Sequence, residues 1–256
     1  ITKIKAKKSR NHTELLFKSL NIPIKIKKTK NIDFIELHGQ HNFKAFNYNI
    51  PGDISSAAFF IVLTLLSKKS KILIKNVNVN ESRIGIIKIL KKMNCDISVN
   101  NKRIYKGEDI ADITAKSTKN IKAINCPSSL NSSAIDEFLI IFLVAAKSKG
   151  ISTFKNLDEL NKKESPRLNI ALKILNMIGI KTLRKKSYLK IYGNPNLYLN
   201  KKFIIKNFMK DHRVFMMSFV AGLVLGGKWT IHDPDSVNTS FPSFFNIMKR
   251  LGAKLD

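Results

Sequence analysis

Three long apolar runs dominate the pattern of hydrophobic positions along the chain. They cover residues 56–66, 138–146 and 214–225. Each run is longer than a typical strand but well short of the roughly 20 residues that a membrane-spanning helix needs. A helix that is apolar on all sides is a buried one. The pattern therefore predicts three buried helices and no membrane span.

These runs belong to a repeat in which an acidic residue, a buried helix, a short turn and a strand follow one another. The acidic residues are Asp53, Asp136 and Asp211. They are separated by 83 and then 75 residues. Matched order and offsets in three copies indicate an internal repeat rather than a chance likeness of apolar helices.

Each copy continues with a second, more amphipathic helix and further strands. These helices are predicted at residues 83–93, 167–178 and 241–251. They end beside Asn94, Gly179 and Gly252, and Asn and Gly readily adopt the left-handed conformation that often follows a helix. The first 45 residues fit the back half of a fourth copy. The predicted fold class is therefore α/β (α+β type), built from repeated helix-strand units.

An arginine lies at the same place in three copies, 11 or 12 residues before the end of the second helix. These residues are Arg10, Arg83 and Arg167. A helix N-terminus offers free N–H groups, and an arginine adds a fork of donors suited to phosphate or carboxylate. The repeat thus predicts anion sites, while an ion pair within the protein remains the alternative for Arg83.

The charged stretch before the third of these helices allows two interpretations. It reads Lys163-Glu164-Ser165-Pro166-Arg167. Ser165 suits an N-cap and Pro166 suits a first helical turn, so the charges could simply be solvated beside a helix start. Alternatively, they face an anionic ligand. The same ambiguity applies to Asp53 and Asp211, which could act only as helix caps.

Charge and cysteine content narrow the class of protein. Forty-six Lys and Arg against 18 Asp and Glu give a net charge of +28, which attracts phosphate-bearing partners of any size. The excess is spread along the whole chain, and no nucleic-acid recognition motif accompanies it, so a basic nucleic-acid-binding protein is the weaker alternative. Two cysteines without metal-binding spacing favour a reducing, cytoplasmic setting, with no metal or cofactor expected.

Six motifs in order along the chain resemble the enolpyruvyl transferase family. They are Ser9-Arg10-Asn11-His12-Thr13-Glu14, Pro51-Gly52-Asp53-Ile54-Ser55-Ser56-Ala57-Ala58-Phe59, Ile135-Asp136-Glu137, Lys163-Glu164-Ser165-Pro166-Arg167, Asp211-His212-Arg213 and Thr239-Ser240-Phe241-Pro242 with Leu251-Gly252-Ala253-Lys254 after it. The pair Lys-Glu-Ser-x-Arg and Asp-His-Arg separates the chain from the branch that acts on UDP-N-acetylglucosamine. Pro166 departs from the family pattern, which usually has Asp there.

The resemblance implies two similar lobes in which repeated units pack helices inside strands. Residues 1–48 would be the tail of a truncated lobe, residues 49–52 the hinge, and residues 53–256 a nearly complete C-terminal lobe. The family has well over a hundred further residues ahead of Ile1. We therefore expect this chain to be a C-terminal portion of a protein that is a monomer at full length.

The resemblance also implies a reaction and its substrates. The enolpyruvyl group of phosphoenolpyruvate would pass to the 5-hydroxyl of shikimate 3-phosphate, releasing phosphate through a tetrahedral intermediate, in the shikimate pathway of aromatic amino-acid biosynthesis. Without the other lobe, the chain could instead be an inactive anion-binding fragment or one half of a split enzyme. Neither nucleic acid nor membrane is an expected partner.

Roles for individual residues follow from the matched motifs. Asp136 would accept the proton of the attacking hydroxyl and contact shikimate 3-phosphate, and Glu164 would exchange the proton at the methylene carbon. The expected contacts to phosphoenolpyruvate and its leaving phosphate are Lys163, which also counts as catalytic, Arg167, Arg213 and His212. Arg10 would reach shikimate 3-phosphate from the other lobe.

Overall fold

The computed structural model describes residues 1–30, 32–42 and 44–254. Residues 31, 43, 255 and 256, which the predicted lobes include, lie outside that description. The strands are β1 (Thr2–Lys7), β2 (Ile24–Lys28), β3 (Ile32–Leu37), β4 (Lys71–Asn78), β5 (Ile97–Tyr105), β6 (Glu108–Lys116), β7 (Gly150–Lys155), β8 (Thr182–Arg184), β9 (Tyr188–Gly193), β10 (Leu199–Ile205) and β11 (Gly226–Ile231). The helices are α1 (His12–Ser19), α2 (Ile54–Leu66), α3 (Gly85–Lys92), α4 (Asn131–Ala134), α5 (Phe138–Ala146), α6 (Arg167–Met177), α7 (His212–Leu225) and α8 (Phe244–Arg250).

The predicted α/β class and the inside-out arrangement of helices are confirmed. The three apolar runs form α2, α5 and α7, which pack against one another in the centre. All nine residues of α5 are buried, because every face of this helix is apolar and every face meets protein. Phe244 of α8 closes the core, with its ring 5.9 Å from that of Phe60 in α2 and 5.3 Å from that of Phe219 in α7.

Strands surround these helices in small sheets. Three sheets have the orders β1-β3-β2, β4-β6-β5 and β7-β9-β8, and all their pairs are antiparallel. The first sheet and α1 match the back half of the repeat, as the sequence predicted for residues 1–45. The fourth sheet joins β10 and β11 in parallel, one on each side of α7 in the chain.

A short strand ahead of each buried helix was missed by the sequence analysis. Gly52 pairs in parallel with Val77 of β4, and Asn125 pairs in parallel with Thr153 of β7. The longer β10 plays the same part before α7. The front half of the unit is therefore strand, buried helix and parallel strand.

All four second helices end in the same hydrogen-bonded motif. The residue after each helix end has a positive φ: 57° at Asn21, 66° at Asn94, 83° at Gly179 and 96° at Gly252. The next N–H then bonds to the carbonyl five residues back, as from Cys95 to Leu90 at 3.0 Å and from Ile180 to Leu175 at 2.9 Å. This is the Schellman ending, and it confirms the predicted helix ends.

The described residues contain neither a membrane-spanning helix nor a disulfide bond. In that part of the chain, no helix combines the length and apolar character needed to cross a membrane. Both cysteines are buried and neither forms a disulfide, and burial raises the pKa of Cys95 to about 12 and that of Cys126 to about 11.

The close contact between α3 and α4 generates the first prediction. A Cβ on Gly85 would lie 2.5 Å from Ser133 Oγ and 2.8 Å from Ala134 Cβ. We expect Gly85→Ala to lower the free energy of unfolding by about 1–3 kcal/mol, because α4 must shift to admit the methyl group. Urea denaturation followed by circular dichroism measures this change.

Gly39→Ala is the matched control, because among the described residues, its two chain neighbours aside, no atom lies within 4 Å of the added Cβ. It should change the free energy of unfolding by less than about 0.5 kcal/mol. Equal stability of the Gly85 variant and the wild type would contradict the close packing of α3 on α4.

Candidate active site

Asp136 lies between α4 and α5, and it differs from its counterparts in the repeat. Asp53 caps α2 by accepting the N–H of Ser56 at 2.9 Å, and Asp211 caps α7 by accepting the N–H of Arg213 at 2.9 Å. These two caps confirm that simple helix chemistry explains part of the pattern. Asp136 is not a cap, since α5 begins two residues later and has no side-chain cap hydrogen bond.

Four cations surround the Asp136 carboxylate instead. Arg10 donates to Oδ2, and Lys163 Nζ and Arg167 Nη1 each lie 3.5 Å from Oδ1. Arg213 Nη2 is 3.9 Å from Oδ2, and its Nη1 donates to the backbone carbonyl of Asp136 at 3.0 Å. The cations come from the segment before α1, from the loop before α6, from α6 and from α7. The four Arg and Lys residues to which the resemblance gave substrate contacts thus meet at one carboxylate.

This arrangement keeps Asp136 ionised. Its side chain is only 10% exposed, and burial alone would raise the pKa. The positive charges of Arg213, Lys163 and Arg10 outweigh burial and lower the pKa of Asp136 from 3.8 to about 2. The carboxylate is therefore a permanent anion at neutral pH, with its charge balanced from several sides.

Arg167 is the most enclosed member of the site. It is fully buried, and its Nε donates to Asp211 Oδ2 at 2.8 Å. Its Nη2 lies 2.6 Å from Oε2 of Glu164, three residues earlier in the chain. The Ser165 hydroxyl also donates to Asp211, at 2.8 Å, so it does not cap α6 as the simpler interpretation held. The guanidinium thus links the charged stretch to the start of α7.

Pro166 shapes the turn that brings these side chains together. Its φ of −70° and ψ of 67° are those of an inverse γ-turn, and the N–H of Arg167 bonds back to the carbonyl of Ser165 at 2.7 Å. Proline fits this position because its ring already fixes φ near that value. The turn directs Arg167 inward while the Glu164 side chain remains 57% exposed.

His212 and Arg213 begin α7 beside this turn. Burial, together with the charge of Arg213, lowers the pKa of His212, so that its imidazole favours the neutral form. The Arg213 side chain is 15% exposed and that of Lys163 is 26% exposed. Both cations can therefore meet a ligand from solvent while holding Asp136.

Sequence reasoning missed a second buried carboxyl, Glu137. The Ser55 hydroxyl of α2 donates to it, Arg213 Nη1 lies 3.8 Å from it, and burial raises its pKa. Arg83 donates to the Ser55 oxygen at 2.7 Å and pairs with Asp53 at 2.9 Å, so Arg83 takes the ion-pair alternative. One signal could have revealed Glu137: it is an acidic residue directly ahead of a helix that is otherwise apolar.

The site offers the chemistry of anion binding and proton transfer. Four cations, Arg10, Lys163, Arg167 and Arg213, face three carboxyl groups, those of Asp136, Glu164 and Asp211, so positive charge is left for a bound anion. Within the described residues, no group of three or more His, Cys, Asp or Glu side chains is arranged to hold a metal ion. Two carboxylates, one enclosed and one exposed, can serve as separate proton carriers.

The low pKa of Asp136 generates a prediction about stability in acid. Because the pKa is lower in the folded protein than in the unfolded chain, the ion cluster stabilises the fold above about pH 4 and loses that effect as pH falls towards about 2. The difference in unfolding free energy between the wild type and Asp136→Asn should be constant above about pH 5 and narrow below about pH 4.

Urea denaturation of both proteins at a series of pH values measures the difference. A gap that stays the same down to about pH 2 would show that the carboxylate gains nothing from its cations.

Comparisons with known proteins identify the family. The sequence profile of the EPSP synthase (3-phosphoshikimate 1-carboxyvinyltransferase) family matches residues 1–248. The 3-phosphoshikimate 1-carboxyvinyltransferase of Zymomonas mobilis is 36% identical over 250 residues, which are 97% of this chain and 55% of the relative. That of Thermoanaerobacter sp. is 37% identical over 243 residues, or 95% of this chain and 55% of the relative. The chain thus spans about half the length of these relatives.

Solved structures agree with the sequence match. The EPSP synthase from Acinetobacter baumannii superposes with a TM-score of 0.86 at 32% identity, over 97% of this chain and 56% of that one. The enolpyruvyl transferase NikO from Streptomyces tendae shares the fold, with a TM-score of 0.70 at 14% identity, over 98% of this chain and 56% of that one. On the strength of the profile match and of these relatives, the chain belongs to the EPSP synthase family.

Proposed function

We propose that this chain supplies the cationic half of an active site that transfers the enolpyruvyl group of phosphoenolpyruvate to the 5-hydroxyl of shikimate 3-phosphate. The observation that carries the proposal is the enclosure of the Asp136 carboxylate by Arg10, Lys163, Arg167 and Arg213, with Glu164 at its exposed edge. The 3-phosphoshikimate 1-carboxyvinyltransferases and the EPSP synthase structure described above, which bear the name of this activity, support it.

Both substrates carry a phosphate and a carboxylate, which suits the surplus of positive charge. We assign Lys163 and Arg213 to phosphoenolpyruvate because their side chains hold Asp136 and still reach solvent. We assign His212 to the same substrate because it directly precedes Arg213 at the start of α7. Arg10 is 45% exposed and comes from the segment before α1, so it fits a contact to shikimate 3-phosphate. Charge-assisted contacts of this kind are the strong ones in anion recognition.

Arg167 requires a different account because its donors already meet carboxylates of the chain. In this proposal, a phosphoenolpyruvate oxygen takes the place that Glu164 Oε2 now occupies, 2.6 Å from Nη2. That exchange frees the exposed Glu164 side chain to turn towards the substrate. Asp211, bonded to Arg167 Nε, keeps the guanidinium in place meanwhile.

The chemistry has two stages, and each requires a proton carrier. In the addition, the 5-hydroxyl oxygen bonds to C2 of phosphoenolpyruvate while Asp136 takes its proton and protonated Glu164 gives one to C3. In the elimination, the bond from C2 to the phosphate oxygen breaks and Glu164 recovers a proton from C3. The phosphate leaves with the proton that Asp136 took, which restores both carboxyl groups. Lys163 and Arg213 stabilise the charge on the departing phosphate.

The pKa of Asp136 must rise for this carboxylate to act as a base, because a group with a pKa of about 2 accepts protons poorly at neutral pH. Bound substrates supply the change. Their anionic groups share the charge of Arg10, Lys163 and Arg213, and this weakens the field that holds the pKa down. Substrate binding thus activates the base.

We also propose the organisation implied by the family. Residues 1–48 belong to one lobe, 49–52 to the hinge and 53–256 to the other, and the complete protein is a cytoplasmic monomer. Supporting this division, no helix or strand occurs among the described residues 38–42 and 44–51. The match to about half of each relative supports a partner lobe outside this sequence.

Two substitutions test the proposed proton carriers. In the longest protein that the gene encodes, Asp136→Asn and Glu164→Gln should each lower kcat by about 10²–10⁴, because each removes one acid-base group but retains the shape of the side chain. Phosphate release from phosphoenolpyruvate and shikimate 3-phosphate is the measurement.

Glu159→Gln is the control, an exposed carboxylate on the turn before the charged stretch, and it should retain full activity. A loss of less than about tenfold in either test variant would remove that residue from the mechanism. Activity of the longer protein but not of the 256-residue chain would show that the chain is a half-site. Inactivity of both wild-type forms would favour a degenerate anion-binding protein.

A further inference from the structure

A second polar cluster joins the segment that carries Arg10 to the sheet β4-β6-β5. His12 Nδ1 lies 2.5 Å from Glu108 Oε1 at the start of β6. Next to it, Asn80 donates to the side-chain oxygen of Asn11 at 2.9 Å. The residues Asn11, His12, Asn80 and Glu108 form what we name the anchor cluster. None of them belongs to the site around Asp136.

The anchor cluster is built around a buried charge. Glu108 and Asn80 are each only 5% exposed. The second carboxylate oxygen of Glu108 accepts from Asn78 at 3.0 Å and from Asn80 at 3.1 Å. Burial opposes ionisation of Glu108, yet the hydrogen bonds from His12, Asn78 and Asn80 prevail and lower its pKa. Burying an ionised carboxylate costs free energy unless hydrogen-bond donors compensate it. Here the side chains of His12, Asn78 and Asn80 provide that compensation.

The turn between β5 and β6 provides a second, independent contact with α1. Gly107 has a φ of 86°, and a Cβ on it would lie 2.6 Å from the carbonyl oxygen of Leu15. Only glycine fits both the backbone conformation and the space. The turn and Glu108, its next residue, therefore meet the same helix at two places.

The position of the anchor cluster along the chain connects it to the proposed active site. Arg10, Asn11 and His12 are consecutive, and α1 begins at His12. Arg10 meets Asp136, 126 residues away, while its two neighbours meet Glu108 and Asn80 at the sheet β4-β6-β5. Because residues 11 and 12 are held in place, the backbone at Arg10 is constrained, and its side chain is the part that can still move.

We propose that Glu108 is a positioning residue: through His12 and Asn11 it places Arg10 beside Asp136 and thereby sets the affinity for the phosphorylated substrate that Arg10 contacts. This inference rests on the proposed function for the identity of that substrate. The anchoring of residues 11 and 12 by Glu108 does not depend on the proposed function. Glu108 acts on the reaction without touching either substrate.

Kinetics of the longest protein that the gene encodes test the consequence. Glu108→Ala should raise KM for shikimate 3-phosphate by about tenfold, the effect of losing hydrogen bonds to a charged group, and change KM for phosphoenolpyruvate by less than about twofold. Glu108→Gln should restore KM, because its amide oxygen can accept from Asn78 and Asn80 while its NH2 group donates to His12 Nδ1.

Asp109→Ala is the matched control, since it removes the next carboxylate of β6, which pairs with Lys102 at 3.0 Å near the surface. It should leave both KM values unchanged. An equal rise of KM for both substrates, or no rise, would overturn the positioning role while leaving the proposed reaction intact.

Hydrogen exchange tests the anchoring whether or not the protein is active. The amides of α1 should exchange at least about tenfold faster in Glu108→Ala than in the wild type, the Glu108→Gln variant or the Asp109→Ala variant. Unchanged exchange would overturn the inference. Faster exchange in a protein that does not transfer enolpyruvyl would leave the anchor standing and remove only the proposed substrate.

Discussion

A buried carboxylate stays ionised only if positive charge compensates it. Around Asp136, this requirement brings four separate segments of the chain together. An uncompensated anion at 10% exposure would take up a proton rather than stay charged. Four cations from four separate segments prevent this, and two of them, Arg167 and Arg213, are also held by contacts to Asp211 and Glu137. The segment before α1, the charged loop, α6 and α7 are therefore fixed relative to one another by a single side chain.

The repeat explains how such a cluster arises from simple parts. Each repeated arginine pairs with a repeated aspartate: Arg83 with Asp53, Arg167 with Asp211, and Arg10 with Asp136. In the first two pairs the aspartate also caps a buried helix, so its role is structural. Asp136 lies two residues ahead of α5, and no side chain caps that helix. The one copy that departs from the local rule is the copy at the proposed site, as expected where function competes with regular structure.

Local rules predicted much of this fold from sequence. Apolar runs gave the buried helices, and Asn94, Gly179 and Gly252 marked helix ends, because these signals act within a few residues. The short pairing segment at Gly52 was not predicted, because a single β-bridge leaves no periodic pattern in the sequence. The anchor cluster escaped because it joins residues far apart in the chain. The motifs named the cations of the site, but no local sequence signal could show that Arg167 donates to Asp211 and pairs with Glu164. The roles of these residues towards substrate, and the division into lobes, stay predictions.

The central claim is that the cations around Asp136 serve the transfer of an enolpyruvyl group and not of a phosphoryl group. The two reactions break different bonds of phosphoenolpyruvate. The most direct measurement uses phosphoenolpyruvate labelled with ¹⁸O in the oxygen that bridges carbon and phosphorus, in the presence of shikimate 3-phosphate. We predict that the label appears in the released phosphate, because the bond between carbon and that oxygen breaks. Unlabelled phosphate together with labelled pyruvate would contradict the account.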